Sequence, residues 1–281
     1  MRVLVSGGTG YLGSRVIKKL EAGNNQIICM TRSPLLYTSS QRVSYVDLQT
    51  CLKTLGEFLP EMYINMVCCY GRGTGNEEIL EANFGVPAKL LQRTAELGVG
   101  RVITIGTSLP DRFNMYAYSK KLFSDLGSWY AEQYGIQFFN VVMEQFYGKN
   151  MPEDRFVQTV VDRLRRNEPV HLTAGTQKRD FLHIEDAVDM LETLVYCESQ
   201  EIYANIPVGS GEAPSVREVV EYLAMLTHSK SPLLFGSIPM RPNEPNTVAD
   251  REIMEKWGIR AHWDWKRGMR DIIGNTVEGE L

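Results

Sequence analysis

The segment Tyr116-Ala117-Tyr118-Ser119-Lys120 contains the pair of side chains in this sequence best suited to proton transfer. A phenol has a pKa of about 10 and is a poor acid–base catalyst at neutral pH until a nearby cation favours its charged form. In a helix, Tyr116 and Lys120 lie one turn apart on the same face. We therefore expect the Lys120 ammonium to lower the pKa of Tyr116.

Thr107 offers a hydroxyl group to the same site. It follows the apolar run 101–106, which we predict to be a strand, and α/β proteins place their chemistry at the carboxyl ends of strands. There the hydroxyl can hydrogen-bond a substrate carbonyl or alkoxide. Thr107, Tyr116 and Lys120 are the predicted catalytic group.

A tyrosine four residues before a lysine is a weak signal alone, because most such pairs lie on solvated helix faces. Tyr118 is a rival phenol, but the residue four positions on is Leu122. We assign Tyr118 to packing or to a substrate pocket. The Tyr116 pair becomes specific when a glycine-rich strand-to-helix start precedes it by about a hundred residues.

Such a start is present at Ser6-Gly7-Gly8-Thr9-Gly10-Tyr11-Leu12-Gly13, directly after the first apolar run. A loop of this spacing exposes backbone N–H groups at a helix N-terminus, where they and the helix dipole hold a pyrophosphate. A glycine-rich turn without a ligand is the alternative, and the strand before it and helix after it favour a dinucleotide. The predicted cofactor contacts here are Gly7, Thr9, Gly10, Tyr11, Leu12 and Gly13.

The cofactor's identity depends on Thr31-Arg32-Ser33, at the end of the second predicted strand. An acidic residue often grips the ribose 2′-hydroxyl there, whereas Arg32 and Ser33 suit a 2′-phosphate. NADP(H) is favoured, NAD(H) is possible, and the alternative is that Arg32 is a solvated turn residue. Asp47 and Leu48 are adenine contacts by position alone. Tyr116 and Lys120 complete the cofactor contacts, since Lys120 can also bind the ribose.

Short β-branched runs alternate with helical stretches through the first half of the chain, which predicts parallel βαβ units. The predicted strands include 3–6, 26–31, 63–68, 101–106 and 137–143, and the predicted helices include 11–22, 86–97 and 116–134. The fold class is α/β, a Rossmann-type doubly wound parallel sheet with a smaller C-terminal substrate-binding lobe. We predict an NAD(P)-binding domain at 1–148 and a mainly substrate-binding lobe at 149–281, with 177–198 packing back on the first domain.

Composition excludes several functions. The net charge of −4 and the pI near 5.7 argue against nucleic-acid binding. The five cysteines are odd in number and lack C-x-x-C spacing, which predicts no disulfide framework, no metal site and mostly buried, reduced thiols. No run approaches the roughly 20 apolar residues of a membrane helix, so we expect no membrane association and a cytoplasmic location.

The chain resembles the extended short-chain dehydrogenase/reductases, specifically their nucleotide-sugar epimerases, dehydratases and ketoreductases, over nearly all 281 residues. The stretches that carry this resemblance are G-G-T-G-Y-L-G (7–13), Y-A-Y-S-K (116–120), R-D-F-L-H-I-E-D-A-V (179–188) and V-A-D (248–250). Four others are most similar to the branch of CDP-paratose and CDP-abequose synthases, which reduce a 4-keto sugar nucleotide with NADPH: C-Y-G-R-G (69–73), E-A-N-F-G-V-P-A-K-L-L (81–91), Q-K-R-D-F (177–181) and V-G-S-G-E (208–212).

The resemblance implies substrate contacts. Arg179 and Arg241 match arginines that clamp the diphosphate, and Asn83 matches an asparagine near the active site, with a helix cap as its alternative. Gln145 stands where many relatives carry the asparagine of a diphosphate contact. Ser108, the remaining predicted contact, begins the pair Ser108-Leu109 in place of the acidic pair of 4,6-dehydratases. Dehydration needs such an acid and base, so the sequence disfavours that reaction.

These observations predict NADPH-dependent reduction of the 4-keto group of a nucleoside-diphosphate 4-keto-6-deoxy sugar, with Tyr116 as proton donor. An NAD-dependent nucleotide-sugar 4-epimerase with the same three catalytic residues is the alternative. A noncatalytic dinucleotide-binding regulator is a third. The family pattern also implies a homodimer through the helices at 86–97 and 116–134.

Overall fold

The computed structural model describes residues 1–274. Its strands and helices, numbered in chain order, are β1 (Arg2–Ser6), α1 (Tyr11–Ala22), β2 (Gln26–Met30), β3 (Val43–Val46), α2 (Leu48–Phe58), β4 (Met62–Asn65), α3 (Asn76–Leu80), α4 (Val86–Glu96), β5 (Arg101–Ile105), α5 (Met115–Tyr134), β6 (Gln137–Met143), β7 (Gln145–Tyr147), α6 (Phe156–Arg165), β8 (Val170–Leu172), β9 (Phe181–His183), α7 (Ile184–Tyr196), β10 (Tyr203–Val208), α8 (Val216–Leu226), β11 (Leu233–Phe235), α9 (Arg251–Lys256) and α10 (Trp265–Ile273). A π-helical turn, Glu81–Gly85, joins α3 to α4.

The first compact unit comprises residues 1–143 and 191–206 and contains a sheet of order β10-β6-β5-β4-β1-β2-β3. Neighbouring strands from β3 to β6 pair in parallel. The strands are continuous apolar runs because helices cover both faces of such a sheet; Val3, Leu4 and Val5 of β1, for example, have no exposed surface. The predicted fold class is confirmed.

The strand order reverses between β1 and β4, which are neighbours in the sheet. Ligands of open α/β sheets bind outside the carboxyl ends of strands at such a reversal. The loop after β1 contacts the loop after β4 here, since a Cβ added to Gly7 would lie 2.4 Å from the carbonyl carbon of Met66. These two loops therefore form the floor of the candidate site.

Helix α5 lies close to the sheet because of one glycine. A Cβ added to Gly127 would lie 2.1 Å from the Phe138 ring of β6. Phe138 and Phe123 of α5, with centroids 5.8 Å apart, belong to the apolar core of the unit. This packing fixes the helix whose first turns carry Tyr116 and Lys120.

The second unit comprises residues 144–190 and the described residues from 207 onward. Its parallel strand pairs are β7 with β9 and β8 with β11. The carboxylate of Asp180 accepts hydrogen bonds from the backbone N–H groups of Ser210, Gly211 and Ala249 and from the Ser210 hydroxyl. A single buried carboxylate thus joins three chain segments of this unit.

Several boundaries differ from the predictions. The strand expected at 63–68 ends at Asn65, so residues 66–68 are loop. The first unit ends at Met143 and not at 148, because β7 pairs with β9 within the second unit. Within the segment 177–198, residues from Leu191 onward belong to the first unit. Residues 275–281 of the predicted substrate-binding lobe lie outside the described part of the chain.

Candidate active site

The glycine-rich loop has the backbone shape that its sequence predicts. Gly7 has a φ of 75°, which disfavours residues with a Cβ. A Cβ on Gly13 would lie 2.2 Å from the Gly7 carbonyl oxygen. Gly10 is exposed and is the N-cap residue of α1.

These features fit a dinucleotide pyrophosphate. The first turn of α1 contains no acidic residue, so the positive end of the helix dipole is not neutralised there. Thr9 and Tyr11 are half-buried, and Leu12 is buried in the core, so only its backbone can face a ligand. The Arg15 guanidinium lies 4.2 Å from the Tyr11 ring centroid and adds positive charge beside the loop.

The residues predicted to hold the adenosine end follow β2 and β3. Arg32 and Ser33 are exposed. Asp47 is the N-cap of α2 and accepts a hydrogen bond from the Thr50 N–H at 2.7 Å, which lowers the pKa of its carboxyl. Leu48 begins the helix and is half-buried. The adenine contact predicted for Asp47 and Leu48 stays a prediction.

The three predicted catalytic residues come together in the first unit. Tyr116 lies in the first turn of α5, whose N-cap Asn114 accepts a hydrogen bond from Ala117 N–H. Thr107, whose side chain lies close enough to the Tyr116 phenol to lower its pKa, follows β5. Lys120, one turn along α5, is buried.

Backbone carbonyls hold the Lys120 ammonium. Its Nζ donates to the Val67 oxygen at 2.7 Å and to the Ile105 oxygen at 2.8 Å. Burial lowers the pKa of Lys120. The lysine therefore links the ends of two adjacent strands to the helix that carries the phenol.

We expected Lys120 to lower the pKa of Tyr116, but the shift in the structure is upward. Burial raises the pKa of Tyr116 well above its usual value, and nearby Cys68 and Tyr70 raise it further, while the hydrogen bond with Thr107 lowers it. Loss of solvation is the largest of these influences. The phenol is accordingly in its protonated form at neutral pH, which suits a proton donor.

Asn83 is buried in the π-helical turn and does not cap a helix. Its Oδ1 accepts from the Cys69 N–H at 2.7 Å, and its Nδ2 donates to the Cys69 carbonyl at 2.9 Å and to the Ser119 hydroxyl at 3.0 Å. Ser119 in turn donates to the Tyr116 carbonyl at 2.8 Å. Asn83 thus joins the loop after β4 to the start of α5.

Sequence reasoning missed Cys68. The expectation of mostly buried thiols holds for Cys29 and Cys51, whose pKa burial raises to about 12, but Cys68 is exposed and Cys69 and Cys197 are intermediate. The Cys68 side chain lies close enough to the Tyr116 phenol to raise its pKa. Its position at the carboxyl end of the predicted strand 63–68 was the available signal.

Two further predicted substrate contacts, Ser108 and Gln145, lie in different units. Ser108 follows Thr107 and is half-buried. In the second unit, Gln145 is a half-buried residue of β7, next to the buried Glu144. The Glu144 carboxylate accepts a hydrogen bond from the Thr247 hydroxyl at 2.7 Å.

The two predicted diphosphate arginines differ in exposure. Arg241 is exposed. Arg179 is buried, pairs with Glu244 and donates to the carbonyls of Lys178 and Pro245. Burial lowers the pKa of Arg179, and the charge of Glu244 opposes that shift. The guanidinium that was expected to meet a diphosphate already has a carboxylate partner.

Among the described residues, no cluster of three or more His, Cys, Asp or Glu is arranged to hold a metal ion. None of the helices within residues 1–274 is long and apolar enough to cross a membrane.

A sequence model of the NAD dependent epimerase/dehydratase family matches residues 3–206. CDP-abequose synthase of Salmonella typhimurium is 26% identical over 96% of this chain and 97% of its own length. GDP-L-fucose synthase of Sinorhizobium fredii is 23% identical over 84% of this chain and 83% of its own.

Solved structures share the fold. UDP-glucose 4-epimerase of Thermotoga maritima with UDP-glucose superimposes with a TM-score of 0.85 at 18% identity and 98% coverage of both chains. UDP-glucuronic acid 4-epimerase from Bacillus cereus, with UDP-glucuronic acid and NAD, gives the same values.

The chain belongs to the NAD dependent epimerase/dehydratase family, as its resemblance to the extended short-chain dehydrogenase/reductases predicts. It is an enzyme of nucleotide-sugar oxidation and reduction.

Proposed function

We propose that the enzyme reduces the 4-keto group of a nucleoside-diphosphate 4-keto-6-deoxy sugar with NADPH. The observation that carries the proposal is the position of Tyr116 in the first turn of α5, with the buried Lys120 one turn along and held by the carbonyls of Val67 and Ile105. Similarity to CDP-abequose synthase over nearly the whole chain supports the sugar class. A dTDP-4-dehydro-6-deoxy-D-allose reductase from Streptomyces is 24% identical over 70% of this chain and supports the same sugar class.

The loop after β1 and the N-terminus of α1 would hold the dinucleotide through Gly7, Gly10 and Gly13. When bound, the reduced nicotinamide supplies the hydride that reaches the ketone carbon. Tyr116 gives its proton to the ketone oxygen, which becomes the new hydroxyl. Thr107 polarises and orients that oxygen.

Lys120 assists by position and charge. Its ammonium is fixed by two carbonyls, so it retains a third N–H for a cofactor ribose. As Tyr116 loses its proton, the ammonium favours the resulting phenolate. The positive charge of Lys120 therefore stabilises the phenolate once Tyr116 has lost its proton. Before that step, burial is the main influence on the pKa of the phenol.

Arg32 and Ser33 support NADPH over NADH. Arg32 is exposed just after β2, so its guanidinium can bind a 2′-phosphate bidentately. The Ser33 hydroxyl can donate a further hydrogen bond to that phosphate. An adenine contact by Asp47 and Leu48 is part of the same proposal.

The proposed substrate contacts are Arg179, Arg241, Gln145 and Ser108. They accompany a proposed substrate-binding role for most of residues 149–281. Arg179 can serve only if its guanidinium exchanges Glu244 for a phosphate. We reassign Asn83 to positioning, because its amide already bonds Cys69 and Ser119.

A homodimer through α4 and α5 is also proposed from the family pattern, together with a cytoplasmic location. Trp129 and Tyr134 on α5 are each about half exposed, which supports a partner surface. Sedimentation at micromolar concentration should give twice the mass of the chain, and a monomer would contradict the proposal.

The reaction is tested by NADPH oxidation, with NADH in parallel, across CDP-, dTDP- and GDP-linked 4-keto-6-deoxy sugars. Tyr116→Phe should reduce kcat by about a hundredfold or more, whereas Tyr118→Phe removes the rival, 41% exposed phenol and should change it little. Loss of turnover in Tyr118→Phe alone would refute the assignment. No net oxidation, together with co-purified NAD, would favour the 4-epimerase that shares the same three residues.

A further inference from the structure

The ring of Tyr70 packs against the ring of the proposed proton donor, Tyr116. The two ring centroids lie 4.9 Å apart, and the ring planes are tilted by 38°. Tyr70 belongs to the loop that follows β4, and 39% of its surface is exposed. An aromatic side chain with accessible surface therefore stands beside the phenol that would donate the proton.

The backbone on both sides of Tyr70 is fixed. Cys69 comes directly before it, and the Asn83 amide accepts from the Cys69 N–H at 2.7 Å and donates to the Cys69 carbonyl at 2.9 Å. Gly71 comes directly after it with a φ of 78°, and a Cβ there would lie 2.5 Å from Cδ1 of Ile79, a buried residue of α3. The Tyr70 ring is consequently held in place before any ligand binds, which lowers the entropic cost of using it as a contact.

Tyr70 differs from the tyrosine that precedes it in the same segment. Tyr63 of β4 is fully buried in the core, and its hydroxyl hydrogen-bonds Ser6 at 2.9 Å. Tyr70, in contrast, leaves part of a large ring in contact with water next to the predicted catalytic group. Small-molecule pockets are lined mainly by such apolar and aromatic side chains, with a few polar groups that fix the ligand's orientation. The position of Tyr70 therefore fits a wall of the substrate pocket.

The proposed reaction brings one part of the sugar close to this ring. Tyr116 gives its proton to the oxygen on C4, so C4 and the carbons bonded to it, C3 and C5, lie nearest the phenol. C5 carries C6, which in a 6-deoxy sugar is a methyl group. The C5–C6 edge is then apolar, and an aromatic ring can cover it. A hydroxyl on C6 would instead lose hydrogen bonds with water against the ring.

We propose that Tyr70 determines specificity for 6-deoxy sugars, its ring packing on the C5–C6 edge of the sugar whose ketone Tyr116 protonates. The inference rests on the proposed function, because that function places C4 at the phenol. It extends the function by naming the residue that selects a methyl group over a hydroxymethyl group at C5.

Ligand binding tests this selection without turnover. Isothermal titration calorimetry on the full chain compares the free nucleoside diphosphates CDP, dTDP and GDP with their glucose and 6-deoxyglucose conjugates. The 6-deoxy conjugate should bind about tenfold more tightly than the glucose conjugate, the scale of one such group in an apolar pocket. Tyr70→Ala should abolish this difference and leave the affinity for the free nucleoside diphosphate unchanged.

Matched variants isolate the contribution of the ring. Tyr70→Phe should keep the preference for the 6-deoxy conjugate, whereas Tyr70→Gln puts a polar side chain in place of the ring and should lose it. Tyr37→Ala removes another tyrosine that is 39% exposed and stacked on a second tyrosine, Tyr45, and should keep the preference. Equal affinities of the parent for the two conjugates, or the same preference in Tyr70→Ala, overturn the inference. If Tyr70→Ala weakens dinucleotide binding and leaves sugar-nucleotide binding unchanged, the ring contacts the cofactor and the inference is likewise overturned.

Kinetics distinguish a substrate contact from an effect that acts through Tyr116. Tyr70→Ala should raise KM for a 4-keto-6-deoxy sugar nucleotide about tenfold, with kcat and KM for NADPH nearly unchanged. A loss of kcat at constant KM would mean that the ring acts on the phenol, which contradicts the inference. Equal melting temperatures of the parent and the Tyr70 variants confirm that each is folded.

The outcomes separate this inference from the proposed function. If the parent reduces no 4-keto sugar while its preference for the 6-deoxy conjugate disappears in Tyr70→Ala, the proposed function fails and the sugar contact of Tyr70 stands. If the parent reduces a 4-keto-6-deoxy sugar while Tyr70→Ala has the same KM and the same preference, the contact is refuted and the proposed function stands.

Discussion

The buried imidazole of His183 stacks on the indole of Trp263, with 4.2 Å between the ring centroids. Burial lowers the pKa of His183 to about 4, although Asp271 opposes that shift. An unfolded histidine titrates near pH 6.5, so the unfolded chain binds more protons between these values. The stability gained from the neutral ring is complete above about pH 6.5 and is lost as the pH falls towards 4.

Urea unfolding between pH 7 and pH 4.5 checks this prediction. The free energy of unfolding should fall by up to about 1.4 kcal/mol per pH unit through His183, and His183→Gln should remove that component of the slope. His171→Gln, which changes an exposed histidine, should retain it. Equal slopes in His183→Gln and the parent would show that the ring is not held neutral.

Gly10 and Gly13 should respond differently to alanine. Gly13→Ala places a Cβ 2.2 Å from the Gly7 oxygen and should lower the melting temperature by several degrees. In Gly10→Ala the nearest atom is at an ordinary 3.5 Å, so the ligand-free protein should stay stable, but the methyl group would crowd a bound pyrophosphate. Differential scanning fluorimetry and dinucleotide titration measure the two effects. Normal dinucleotide affinity in Gly10→Ala would argue against the pyrophosphate site.

Arg32→Ala should change cofactor preference. Loss of a bidentate contact to a 2′-phosphate should lower kcat/KM for NADPH about tenfold or more and leave NADH almost unaffected. Arg42→Ala, which removes an arginine just before the neighbouring strand β3, is the matched control. Equal losses with both dinucleotides would contradict recognition of the phosphate.

Glu244→Gln should destabilise the second unit. Its carboxylate pairs with Arg179, and the two side chains are only 15% and 10% exposed. Leaving the guanidinium without its partner should cost about 2–3 kcal/mol in unfolding free energy. Lys121→Gln breaks an exposed pair with Asp125 and should cost less than about 1 kcal/mol. A similar small loss in both variants would show that Arg179 is well solvated.

Arg179→Gln tests the diphosphate contact itself. It should raise KM for the sugar nucleotide about tenfold, the scale of a lost charge-assisted hydrogen bond, without changing KM for the dinucleotide. Unchanged KM for both substrates would assign Arg179 to the structural pair with Glu244 alone.

Local sequence patterns were sufficient for the sheet and for the placement of Tyr116 and Lys120 one turn apart on α5. Gly7 and Gly13 are required by close backbone approaches, and the spacing of Tyr116 and Lys120 follows from helix geometry, so each could be predicted from its own segment. The direction of the Tyr116 pKa shift could not, because it depends on how tightly distant segments enclose the phenol. Cys68 was missed for a similar reason, since its influence on the pKa of Tyr116 joins residues that are far apart in the chain. The pairing of Arg179 with Glu244 likewise depends on tertiary structure.

Asn83 and Lys120 hydrogen-bond the main chain of the loop after β4. Asn83 bonds the N–H and carbonyl of Cys69, and Lys120 bonds the carbonyl of Val67. Hydrogen bonds to backbone atoms do not depend on which side chain a residue carries. Substitutions at 68, 69 and 70 can therefore alter the chemistry beside the phenol while the loop keeps its path. This short stretch is a natural place to randomise in directed evolution of new substrate scope.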